Sequence, residues 1–211
     1  MTVFLTNGPR RAAAHLLLGH GAGAPMTSPF LEAFAADLAA ASVLVTRFEF
    51  AYMTARRTDG GKRPPPRVDR LTEEYRAIVA GMARRPGQRL FIGGKSMGGR
   101  VASLIAGELH TSGAIGGLVV IGYPFHPPRK PDALRTAHLL DMACPALIVQ
   151  GTRDAFGGAA EVARYHLPPA IKLEWLADGD HDLKPRKSSG FTQAAHIASA
   201  ARTVARFMTR P

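Results

Sequence analysis

The chain has 211 residues, 46% of them hydrophobic and 20% charged, and a formal net charge of +11. This length buries one sizeable core, and the balance excludes disordered, fibrous and membrane-embedded classes. Arginine supplies 21 of the 27 basic residues, so the charge reads first as a surface whose cations are written as arginine. An anionic partner is the competing reading, but no zinc-finger, helix-turn-helix or aromatic RNA-binding pattern accompanies the charge, and nucleic acid is not expected.

The elements follow in chain order. Phe4 and Leu5 already have strand character, and Ala12–Leu18 is a strand. The twin arginines Arg10 and Arg11 lead into an apolar run too short, and too interrupted by His15, for an export signal. A helix is predicted from Ser28 or Pro29 to Ala41, with Phe30, Phe34 and Leu38 at helical spacing, and a strand over Val43–Phe50. Leu71–Arg85 is a helix opened by Asp69 or Thr72, with Glu73 and Glu74 in its first turn. Then come strand Leu90–Gly93, helix Met97–His110, and strands Ile115–Ile121 and Ala146–Gln150. A short helix Gly158–His166, strand Ile171–Leu176 and closing helix Phe191–Met208 complete the chain.

Strands alternating with helices imply parallel pairing, and continuously apolar strands imply a sheet covered on both faces. The expectation is a single α/β domain over residues 1–211, in three layers, with little or no cap. No internal repeat is present. Two segments break the alternation. Tyr52–Arg70, with Gly-Gly, Pro-Pro-Pro and six basic residues, reads as an exposed basic loop: a solvated insertion, a lid or an anion-binding edge. Tyr123–Ala143 follows a strand end, where open α/β sheets place their binding crevice, and reads as a cap-like insertion with a short helix near Leu134–Leu140.

No apolar stretch reaches membrane-spanning length, and the single Cys144 excludes an internal disulfide. Both point to a cytoplasmic protein, with Cys144 a small buried hydrophobe. Nothing in the sequence sets an oligomeric state.

Chemistry concentrates at "LFIGGKSMGGR", Leu90–Arg100. A strand runs into a helix through Gly94-Lys95-Ser96-Met97-Gly98, the G-x-S-x-G pattern of a nucleophile elbow, in which glycines permit a sharp turn that exposes the serine hydroxyl. Met97 N–H, at a helix N-terminus, suits a developing oxyanion. Lys95 is assigned a structural or charge role. A serine hydroxyl needs a base, and the base an orienting acid. In the chain order this pattern predicts, "VQGTRDAFG" offers Asp154 and "DGDHDLKP" offers His181, each after a strand. Asp178, Asp180 and Asp182 are rivals for the acid, Asp182 having a tuning or loop-holding role instead. His20, His126 and His138 are rivals for the base; His15, His110, His166 and His196 are assigned to core or surface. "GHGAG" after the first long strand supplies a second oxyanion donor, Ala22 N–H, its glycines not matching a dinucleotide loop.

Together "GHGAGAPMTSPF", "GGKSMGGR", "VQGTRDAFG" and "DGDHDLKP" resemble the α/β-hydrolase superfamily. The resemblance is to a branch of small bacterial, dienelactone-hydrolase-like predicted hydrolases. That branch includes the hydrolase-like domain of a eukaryotic chromatin-complex (non-specific lethal) subunit and its testis-expressed relative. It runs from about Leu16 to the C-terminus and includes "RFEFAYM" and "YPFHPPRKP". It implies Ser96, Asp154 and His181 as triad, Ala22 and Met97 as oxyanion donors, and neither metal nor organic cofactor. Dienelactone hydrolases use a cysteine nucleophile, whereas position 96 is serine. The expected activity is therefore hydrolysis of an ester-type bond (carboxylester, thioester or lactone) in a small-molecule acyl substrate. His20, Arg47, Tyr52, Arg56, Arg57, Tyr123, Phe125 and His126 are the candidates for the pocket and its rim. The alternatives are a catalytically silent binding or scaffold protein and a basic anion or nucleic-acid binder.

Overall fold

The computed structural model describes residues 2–61, 64–83 and 85–210. Seven strands form one sheet: β1 (Phe4–Asn7), β2 (Ala14–Gly19), β3 (Leu44–Phe48), β4 (Arg89–Lys95), β5 (Gly117–Ile121), β6 (Ala146–Gly151) and β7 (Ile171–Leu176). Their spatial order is β1-β3-β2-β4-β5-β6-β7. Only β1 runs antiparallel to its neighbour, pairing Phe4 with Phe48 and Asn7 with Val45. The six helices are α1 (Pro29–Ala40), α2 (Ala51–Asp59), α3 (Val68–Ala80), α4 (Met97–Thr111), the single turn α5 (Ala159–Val162) and α6 (Gln193–Thr209).

Strands β2, β3, β5 and β6 are buried along their whole length; β5 and β6 read as nearly unbroken apolar runs, while β2 and β3 also bury His15, Thr46 and Arg47. On one face Leu16, Leu18, Val119 and Val149 pack against Leu31, Phe34 and Leu38 of α1 and Ile197, Ala200 and Val204 of α6. On the other, Leu17, Ile92 and Val120 pack against Tyr75 and Val79 of α3 and Val101 and Ile105 of α4. This is the three-layer arrangement expected, with each large buried side chain contributing about 1.5–3 kcal/mol. Thr192 caps α6, its hydroxyl accepting the Ala195 N–H at 3.1 Å.

The first interruption differs from expectation. Residues 51–59 are helical, and α2 ends at Gly60, whose φ of +69° suits a left-handed C-cap. Tyr52 and Met53 are buried against the core, so the described irregular residues shrink to 60, 61 and 64–67; Lys62 and Arg63 lie outside the described residues. The run of glycine and proline masked a helix because the apolar anchors sit in its first turn. Residues 123–143 hold only the 3₁₀ turn Ala137–Leu139. Tyr123, Phe125 and Leu139 are fully buried and anchor the segment to the core, while residues 128–134 between them are exposed. Helix α3 starts three residues earlier than predicted and stops at Ala80, before Gly81; Arg84, within the predicted span, lies outside the described residues. The helix predicted over 158–166 is one turn.

Cys144 is a buried free thiol, and burial pushes its pKa up to about 12. That suits a hydrophobe, not a nucleophile. No helix among the described residues is long and apolar enough to cross a membrane.

Candidate active site

The turn from β4 into α4 explains its glycines by close approach. A Cβ on Gly93 would lie 2.0 Å from Val119 O; on Gly94, 2.5 Å from Gly98 C; on Gly98, 2.6 Å from His20 O; on Gly99, 2.3 Å from a Val120 methyl. Strand β4, helix α4, strand β5 and the loop after β2 therefore touch backbone to backbone around Ser96. Ser96 itself has φ 51° and ψ −114°, a conformation non-glycine residues rarely adopt and which costs on the order of 1–3 kcal/mol. Its N–H donates to Ile121 O at 2.9 Å and its carbonyl accepts Arg100 N–H at 2.9 Å, which holds the strained turn. Tyr75, fully buried beneath, accepts Gly93 N–H at 3.1 Å, and its hydroxyl lies 2.8 Å from the carbonyls of Leu17 and Gly93. Gly94→Ala is expected to lower the unfolding free energy by about 3 kcal/mol, because only backbone surrounds the added methyl. Urea denaturation measures this, and an unchanged midpoint would contradict the crowding argument.

Asp154 and His181 arrive from the ends of β6 and β7. Their two loops meet because Gly151 has no side chain: a Cβ there would sit 2.3 Å from Gly179 O and 2.4 Å from Asp180 O. His181 Nε2 is 2.8 Å from Ser96 Oγ, and His181 Nδ1 is 2.8 Å from Asp154 Oδ2. The Asp154 side chain is fully buried; its Oδ2 also accepts Gln150 Nε2 at 2.8 Å and its Oδ1 accepts Phe156 N–H at 2.8 Å. With the carboxylate taking the Nδ1 hydrogen, Nε2 faces Ser96 as acceptor. Phe156 lies against the imidazole with ring centroids 4.2 Å apart.

The loop His20–Gly23 runs beside this relay; a Cβ on Gly21 would stand 3.9 Å from Ser96 Cβ. Ala22 is tied from behind, its carbonyl accepting the Tyr52 hydroxyl at 3.0 Å and Arg56 Nη1 at 3.4 Å. Burial raises the Tyr52 pKa to about 12, so it stays a donor. Lys95 is nearly buried and donates to the His181 carbonyl at 2.7 Å while pairing with Asp182 at 3.1 Å. Burial lowers its pKa and Asp182 opposes that shift. Lys95 thus pins the histidine loop, and Asp182 is engaged there rather than behind the imidazole. Asp180 Oδ1 accepts the N–H groups of Asp182 and Lys184, and Asp178 pairs with Arg153 at 2.8 Å.

Ser96 borders two cavities, one of about 570 Å³ along Phe30, Leu31, Phe156 and Ile197, the other of about 290 Å³ along Met97, Arg100, Pro124 and Arg135. The pocket candidates named from sequence line neither. His20 is fully buried: its Nδ1 lies 2.6 Å from Gly21 O, and its Nε2 accepts Phe50 N–H at 3.1 Å, so both ring nitrogens are spent on backbone. Burial also lowers its pKa, and it is no rival base. Arg47 is buried and donates to Met26 O and Asn7 Oδ1. Tyr52 braces the Ala22 loop; Tyr123 and Phe125 are core; His126 Nε2 lies 2.9 Å from Glu161, away from Ser96. Arg57 pairs with Glu49 at 3.2 Å. His138 faces Ser103 at 2.8 Å. Sequence reasoning missed Phe30, Phe156 and Gln150. A buried glutamine ending an apolar strand four residues before the candidate acid was the available signal for Gln150.

A mostly parallel sheet whose strand ends carry a serine elbow, then an acid, then a histidine defines the α/β-hydrolase class. The chain belongs to the alpha/beta hydrolase domain family, whose model matches residues 12–209. Its fold resembles Est1E from Butyrivibrio proteoclasticus, solved with ferulic acid bound (TM-score 0.73, 13% identity, covering 99% of this chain and 96% of that one). It resembles a lidless α/β serine hydrolase from Xanthomonas campestris (TM-score 0.70, 16% identity, 100% and 91%). It also resembles a dienelactone hydrolase from Anabaena variabilis (TM-score 0.68, 18% identity, 98% and 90%).

Proposed function

We propose that the protein is a serine hydrolase that cleaves an ester-type bond of a small acyl substrate through an acyl-enzyme. The observation that carries this reading is the unbroken relay of 2.8 Å contacts from Ser96 through His181 to Asp154. His181 Nε2 takes the Ser96 proton as Oγ attacks the carbonyl carbon. The tetrahedral oxyanion forms beside the N–H groups of Met97, at the start of α4, and Ala22; each such donor is worth about 3 kcal/mol in the transition state. His181 then gives its proton to the leaving oxygen or sulfur, and Asp154 holds the imidazolium that formed between the two transfers. In the second half a water, deprotonated by His181, attacks the acyl carbon and Ser96 regains its proton. The Tyr52 bond to Ala22 O and the Lys95 bond to His181 O support the reading, since each fixes the backbone of a reacting segment before substrate arrives.

Stopped-flow mixing with p-nitrophenyl acetate is expected to release a burst of about one p-nitrophenolate per chain before a slower steady rate. Release no faster than in buffer would contradict the proposal.

A further inference from the structure

Two arginines beside Ser96 have no counter-charge among the described residues. The smaller cavity is bounded by Ser96, Met97, Pro124, Phe156, Arg100 and Arg135, and no aspartate or glutamate lines it. Among the described residues neither guanidinium forms an ion pair or a side-chain hydrogen bond, whereas Arg57, Arg76 and Arg153 each hold a carboxylate. Arg100 Nε is shut off from solvent without a partner. Burial, and after it the Arg100 charge, lowers the Arg135 pKa. Neighbouring groups supply no anion either. Burial raises the Tyr123 phenol to about 12, and burial with the Arg100 charge holds His138 down to about 4, so both are neutral near pH 7.

Two like charges lining one cavity that holds no carboxylate form a site short of an anion. Guanidinium forks match the two oxygens of a carboxylate. We propose that the substrate carries a carboxylate that docks between Arg100 and Arg135 while its scissile carbonyl lies at Ser96, the apolar remainder running into the larger cavity beside Phe30 and Phe156. This rests on the hydrolase reading. Small size fits as well: about 290 Å³ holds a carboxylate on a few carbons, not a polymer.

Two ester pairs test it, one with the charge on the acyl side and one on the leaving side: monoethyl glutarate against ethyl valerate, and 4-acetoxybenzoate against its methyl ester. In at least one pair kcat/KM is expected to favour the acid about tenfold or more, and Arg100→Met and Arg135→Met are each expected to shrink that ratio about tenfold. Each substitution removes a like-charge repulsion and no hydrogen bond. A ratio at or below one in both pairs, or a ratio that survives both substitutions, overturns the proposal. Calorimetry of glutarate binding to Ser96→Ala reads the same site without turnover. Binding weakened by added NaCl and by either arginine substitution is expected. Absent binding, or binding indifferent to both substitutions, overturns the proposal whatever the kinetics show. Arginine-dependent glutarate binding in a protein that hydrolyses none of the four esters would instead count against the hydrolase reading.

Discussion

Ser96→Ala is expected to lower kcat toward p-nitrophenyl acetate by about 10⁵-fold or more, leaving the residual rate that oxyanion donors and binding alone provide. Among the described residues the hydroxyl is the group hydrogen-bonded to His181 Nε2, at 2.8 Å, and the rival base His20 has both ring nitrogens committed to backbone. Ser28 also lines the larger cavity but makes no hydrogen bond to His181. Cys144 is buried and held as a thiol. The variant should fold, since the serine side chain has no structural partner besides His181 and alanine fills the same turn. Steady-state kinetics on the purified variant decides this, with the circular dichroism melt as the control for folding. A loss of less than about tenfold would remove Ser96 from the reaction.

Asp154→Asn is the second large effect, a fall in kcat of roughly 10³–10⁴-fold with KM little changed. The reason is a donor count. Asp154 Oδ2 accepts both His181 Nδ1–H and Gln150 Nε2–H, and Oδ1 accepts Phe156 N–H. An asparagine must point its NH₂ at one of those two oxygen positions. On the first it meets the Gln150 amide and drives the imidazole to the opposite tautomer; on the second it meets the Phe156 N–H. Either orientation sets donor against donor in a fully buried place. Stability should therefore drop along with rate. Activity within tenfold of wild type in Asp154→Asn would show that the imidazole is oriented by something else.

Much of this was legible in the sequence for a geometric reason. Ser96, Asp154 and His181 each follow an apolar strand, and parallel strands deliver their C-terminal ends to one edge of the sheet. Strand identity therefore carried spatial information that spacing alone did not. Glycine carried more: Gly94, Gly98 and Gly151 each mark a place where two backbones touch. The pocket walls were not legible. Aromatic and basic residues near the strand ends, such as Tyr52, Tyr123 and Arg47, looked like rim residues, but tertiary packing turned them inward against backbone carbonyls. The walls come instead from Phe30 at the start of α1, Phe156 two residues after Asp154, and Arg100 one turn into α4, residues that local pattern assigns to core or solvent. Helix α2 was hidden by the glycines and prolines that follow it. Part of the expected loop is therefore a helix, and the cap-like segment is anchored in the core at Tyr123, Phe125 and Leu139.

Activation of Ser96 by His181 is the central step of the proposed reaction. The direct measurement is labelling with a fluorophosphonate probe, comparing the intact protein with Ser96→Ala and His181→Ala under identical conditions. The account predicts labelling of the intact chain, none in Ser96→Ala, and a rate lowered by at least about a hundredfold in His181→Ala, since an unassisted serine hydroxyl is a weak nucleophile. An intact, folded protein that takes no label, or one that labels equally well without His181, would contradict it.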